Sequence, residues 1–60
     1  MKREKLRIAR VTRHLSQKET AEYIGVKQSF YSKLENGISN PSIDQSKLLI
    51  KLLKININML

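Results

Sequence analysis

A chain of 60 residues holds one domain at most, and buries only about 60% of the surface it exposes when unfolded. Hydrophobic residues make up 40% of it and Gly plus Pro only three, which favours a helical miniature domain over a disordered tail. The absence of cysteine removes disulfides, thiolate metal sites and thiol catalysis, whereas a net charge of +7 and a pI near 10.2 call for a polyanionic partner, either nucleic acid or an anionic membrane surface.

Residues 2–13 carry six of the twelve basic residues and one acid, with no Gly or Pro, and predict a helix from about Lys2 to Arg13. Leu6, Ala9, Arg10 and Arg13 share one side. Ile8 and Val11 point the other way, an apolar back for which the C-terminal end of the chain is a candidate cover. Lys2, Arg3 and Lys5 read either as non-specific attraction for a polyanion or as solvated charges. After Met1-Lys2-Arg3 there is no apolar signal core, and no apolar run approaches the roughly 18 residues of a membrane span, so the expected location is cytoplasmic.

From Leu15 to Gly37 the pattern is two short helices joined by a glycine turn. Ser16 followed by Glu19 makes a capping box, in which the hydroxyl takes the Glu19 amide and the carboxylate returns to Ser16. Gln17, Thr20, Ala21 and Ile24 face inward, with Tyr23 at the border. Gly25 supplies a left-handed stop, and the small Ala21 lets the next helix cross closely. That helix runs from about Gln28 to Asn36, with Tyr31 and Leu34 inward, Phe30 at the edge of the core, and Asn36-Gly37 as its stop.

Gln28, Ser29, Ser32 and Lys33 form its outward face, and no apolar residue interrupts them. Gln pairs with adenine, Lys with guanine and Ser with either, which is base-edge chemistry on an element that fits the major groove. A merely solvated polar face has the same composition.

Beyond Gly37 the loop Ile38-Ser39-Asn40-Pro41 lacks helix formers, and Pro41 biases Asn40 away from helical angles. Ser42 with Gln45 is a second capping box. The following helix is expected to turn Ile43, Ser46, Leu49, Ile50 and Leu53 inward and Asp44, Leu48, Lys51 and Leu52 outward. Two outward leucines, Leu48 and Leu52, make a candidate dimer surface. The segment from Ile55 to Leu60 alternates like a strand but has no partner strand in view.

The spacing Gln17, Ala21, Gly25, Tyr31, Leu34, the ending Leu34-Glu35-Asn36-Gly37 and the run Asn40-Pro41-Ser42-Ile43 together resemble the Cro and phage-repressor (XRE-type) helix-turn-helix family over roughly residues 6–58. The resemblance implies an all-α, compact five-helix, lambda-repressor-like DNA-binding domain over residues 1–60, with the motif at about 16–36. The last segment would be a short fifth helix, capped by Asn56, with Ile55, Ile57 and Leu60 closing the core. By the same likeness Gln28, Ser29, Ser32 and Lys33 read bases, and Gln17, Lys27, Asn36, Ser39 and Asn40 hold the DNA backbone. Arg10 is implied to pair with Glu35, either as a structural tie or to orient the arginine toward a phosphate. His14 falls where the family often has glycine, which makes it a helix-end residue.

Three departures stand out. Lys27 replaces the Ser or Thr that usually caps the recognition helix, and its ammonium accepts no amide; it either contacts a phosphate or is simply exposed. Thr20 stands for leucine, and Tyr31 for a branched aliphatic residue, so its hydroxyl needs water or a partner.

The implied function is sequence-specific binding of double-stranded DNA by a transcriptional regulator, a repressor; Leu48 and Leu52 would either pair two copies as a homodimer on a palindromic operator or be merely exposed leucines. Five acids, one histidine and no cysteine on separate elements offer no acid/base pair or triad, so no enzyme, metal or cofactor is expected. Rival readings are an antitoxin that also binds a toxin, a DNA-binding fragment of a longer regulator, and a basic amphipathic membrane peptide. Two capping boxes and a glycine turn argue against the last.

Overall fold

The computed structural model describes residues 2–60, the side chain of Met59 aside. Met1, at the start of the basic run read for a signal core, lies outside the described residues. Four α-helices follow one another: α1 (Glu4–Thr12), α2 (Gln17–Ile24), α3 (Gln28–Glu35) and α4 (Ile43–Leu53), then a 3-10 turn at Ile57–Met59. There is no strand among the described residues, and none of their helices is long and apolar enough to cross a membrane.

Both capping boxes form. Ser16 Oγ accepts from the Glu19 amide at 3.0 Å while Glu19 Oε1 accepts from the Ser16 amide at 2.9 Å; Ser42 and Gln45 repeat this at 3.1 and 3.0 Å. The first three helices also close alike. His14, Gly25 and Gly37 have φ of 57°, 78° and 73°, and the amide after each donates to the carbonyl five residues back: Leu15 to Arg10, Val26 to Ala21, Ile38 to Lys33. An added Cβ at Gly25 would meet nothing within 4 Å, so its left-handed backbone alone favours glycine there. His14 carries a side chain in that conformation, at a cost on the order of 1 kcal/mol.

The core is Leu6 of α1, Ala21 and Ile24 of α2, Tyr31 and Leu34 of α3, Leu49 and Leu53 of α4, and Ile55 beyond it. α2 packs on both α3 and α4, and α1 packs on α3. Thr20 is fully buried, and its hydroxyl donates to the Ser16 carbonyl at 3.0 Å, which satisfies the polar atom at a position where a leucine was expected. Phe30 packs against the core edge.

Four expectations need correction. The fifth helix is only a three-residue 3-10 turn: Lys54 breaks α4 with φ 53°, Ile55 enters the core, and Asn56 makes no side-chain cap. Ile57, expected to close the core, is 68% exposed because Ile55 and Leu60 already cover that side. α1 starts at Glu4, not Lys2, because Arg3 leaves helical angles and ties its amide to the Glu35 carbonyl at 2.7 Å. On α4 the buried arc is rotated by roughly 60° from the expected one. Leu48 and Leu52 are half-buried and pack against the core, whereas Ile43, in the first turn, is 75% exposed. α4 packs on α2 and buries Leu49 and Leu53 in the shared core, which centres the arc on them, so the neighbouring leucines turn in and Ile43 turns out.

Candidate nucleic-acid interface

α3 buries Tyr31, Leu34 and Glu35 and presents Gln28, Ser29 and Lys33 to solvent, with Ser32 half-buried between them. These four lie at i, i+1, i+4 and i+5, one stripe along the helix. Gln28, Ser29 and Lys33 make no side-chain hydrogen bond or ion pair among the described residues, so their donors and acceptors are free. Ser32 Oγ receives a long 3.5 Å bond from Asn36 Nδ2. Lys27 is exposed at the N-cap without capping the helix; its backbone (φ −75°, ψ 151°) nearly matches that of the capping Ser16 (−78°, 164°). α3 therefore starts with unsatisfied amides and a cation beside them.

The far end of α3 is held from α1. Arg10 Nε donates to Glu35 Oε2 at 2.5 Å, and a second guanidinium nitrogen lies 3.4 Å from Oε1. The Arg10 side chain is 12% exposed and that of Glu35 3%, so this pair is desolvated. Arg10 also donates to the Leu15 carbonyl at 2.7 Å, which anchors the entry to α2. Gln17, expected on the DNA backbone, is half-buried and donates to Glu35 Oε1 at 3.2 Å, joining α2 to the same carboxylate. The Tyr31 hydroxyl is buried with no hydrogen-bond partner among the described residues. Burial first, and then the neighbouring Glu35 carboxylate, hold its pKa far above a tyrosine's ordinary 10.0, so the ring stays neutral.

Arg3 is the residue that sequence reasoning missed. Read as a solvated or non-specifically attractive charge, it instead donates to the Leu34 carbonyl at 2.6 Å, to the Ser39 carbonyl at 2.9 Å and to Asn40 Oδ1 at 2.6 Å. The last turn of a helix leaves carbonyls without partners and carries partial negative charge, so a forked cation fits there. No local motif marks this arginine among the others of the basic run; only the return of the 34–40 segment past the start of α1 singles it out.

The structure thus places Lys27 before α3, Asn36 at its C-cap, and Ser39 and Asn40 in the clamped loop after it, around the Gln28 to Lys33 stripe. Asn36 and Asn40 are exposed; Ser39 is half-buried, with its amide 3.3 Å from the Lys33 carbonyl. Among the described residues, no three His, Cys, Asp or Glu side chains gather as a metal site would require.

A family model described as Helix-turn-helix matches residues 6–60. No match is found among curated proteins or solved structures. With α2, the Gly25 turn and the exposed stripe of α3 all inside the matched span, the chain belongs to the XRE-type, Cro- and phage-repressor-like helix-turn-helix family of DNA-binding transcription regulators.

Proposed function

We propose that the protein is a single DNA-binding domain that recognises a specific duplex sequence through α3 in the major groove, represses transcription by occupying that site, and performs no enzymatic chemistry. The observation that carries this is the free, exposed amide, hydroxyl and ammonium stripe of Gln28, Ser29 and Lys33, with Ser32 beside it, on a helix clamped at its C-terminal end. Gln28, Ser29, Ser32 and Lys33 read base edges. Lys27, Asn36, Ser39, Asn40 and the remaining amide hydrogen of Gln17 hold phosphates and set the register. The protein works in the cytoplasm, alongside its DNA.

Two copies on a palindrome set their recognition helices about 34 Å apart. Leu48 and Leu52, half-buried against the core, offer that contact little apolar surface. Ile38 and Ile43, 72% and 75% exposed at either end of the loop after α3, are the better apolar pair. Ile38→Lys with Ile43→Lys is expected to keep binding to one half-site and lose cooperativity on two.

Selection of bound duplexes from a random pool tests the whole reading. The expected result is one enriched, two-fold symmetric sequence, bound at least about 10³ times more tightly than random DNA at physiological salt. A pool that stays unenriched overturns it.

A further inference from the structure

On another side of the molecule, α1 and the end of α4 enclose an open groove of about 380 Å³. Its floor is apolar, made by Ile8, Ala9, Leu53 and Ile55, and its rim carries Lys5, Arg13 and Lys54 with no acid among its lining residues. None of these three cations has a side-chain hydrogen bond or ion pair among the described residues. Ile8 is 55% exposed, and the apolar strip continues one turn along α1 to Val11, 49% exposed. Part of this apolar back therefore meets the C-terminal end of the chain, and part stays uncovered.

We infer that this groove docks an acidic amphipathic helix of a partner protein. Apolar anchors on such a helix fill the floor between Ile8 and Leu53, and carboxylates flanking them meet Lys5, Arg13 and Lys54. Charge decides against a second copy of the chain, because a two-fold contact here would set three cations against three on molecules that each carry +7. Duplex DNA presents isolated thymine methyls and no continuous apolar surface that would fill the floor. The strip running on to Val11 is longer than a small anion covers and suits an elongated occupant. Ile8 lies roughly 160° around α1 from Arg10, the residue that grips α3, so the recognition stripe stays free while the groove is filled. The consequence is a regulator that holds DNA and a partner at once.

The probe is a fluorescent helical peptide with leucines on one face and glutamates flanking them, followed by anisotropy and by amide NMR of the full chain. Saturable binding is expected, with shifts confined to residues 5–13 and 53–55. Ile8→Gln is expected to weaken it about tenfold or more, since an apolar anchor is lost from a surface position. Because Ile8 is exposed, the variant should retain its circular dichroism and its affinity for random duplex DNA, which separates a lost docking site from a lost fold or lost DNA binding. Arg13→Glu with Lys54→Glu should reject the glutamate peptide and accept its lysine counterpart. Shifts centred on α3, or equal binding of the lysine peptide by the unaltered chain, overturn the inference. Groove shifts produced by phosphatidylglycerol vesicles or by dodecanoate, with none from the peptide, overturn it in favour of a membrane or a small anion.

Discussion

α2 and α3 are the same length, adjacent and packed on one another, yet they are held in different ways. α2 carries its own ends: Ser16 and Glu19 cap its start and Gly25 closes it, all within ten residues of sequence. α3 has a comparable stop at Gly37 but no cap at Lys27, and its C-terminal end is tied down by Arg3, Arg10 and Gln17 from elsewhere in the chain. α2 is specified locally and α3 by its neighbours. An uncapped start leaves amides and a lysine free to face phosphates, whereas a capped one satisfies them internally.

The comparison breaks first at Glu35. Glu35→Ala leaves the nearly buried Arg10 charge without its carboxylate and is expected to cost about 3–5 kcal/mol by chemical denaturation, a large share of what a domain of this size has. Unchanged stability would mean that the pair does not hold α3. At the other end of the same helix, Gln28→Ala should leave the melting temperature alone and cost about 1–3 kcal/mol of binding on the selected sequence, with little change on random DNA. Equal losses on both would remove Gln28 from base reading.

Arg3→Ala removes three guanidinium bonds, to the Leu34 and Ser39 carbonyls and Asn40, two of them partly buried, for about 1–2 kcal/mol of stability. Arg3→Lys should recover little of it, because one ammonium does not reach three acceptors in a fork. Smaller again is the exchange of caps. Ser16→Ala should cost about 1 kcal/mol, while Lys27→Ser, on a backbone already shaped like that of Ser16, should gain about 0.5–1 kcal/mol. The second variant should also lower the salt dependence of DNA binding by about one unit, which titration at several salt concentrations would show.

The slightest effect separates the two capping boxes. The Ser16 amide, and then its hydroxyl, lower the pKa of Glu19 from its ordinary 4.5. A depressed carboxylate contributes stability above its unfolded value and loses it as pH falls through the folded one, so the α2 box should fade only below pH 4.5. The α4 box uses Gln45, which does not titrate. Amide exchange followed into acid should therefore release the Ser16 amide, which donates to the Glu19 carboxylate, before the Ser42 amide, which donates to Gln45; simultaneous release would show that global unfolding comes first.

The sequence by itself determined α2 and α3 with their starts and stops, the start of α4 and the outward stripe of α3, because capping boxes, left-handed glycines and a helical period act within a few residues. It also carried the family resemblance, since the spacing from Gln17 to Gly37 encodes a turn between two helices. Tertiary structure alone decided the rotation of α4, because several apolar residues competed for one buried arc and only packing against α2 chose Leu48 and Leu52 over Ile43. It decided the fate of Ile57 for the same reason, once Ile55 and Leu60 had covered that side of the core. It also decided the role of Arg3, whose acceptors lie more than thirty residues away along the chain: a carbonyl that needs a donor has no signature in sequence until folding brings the two together.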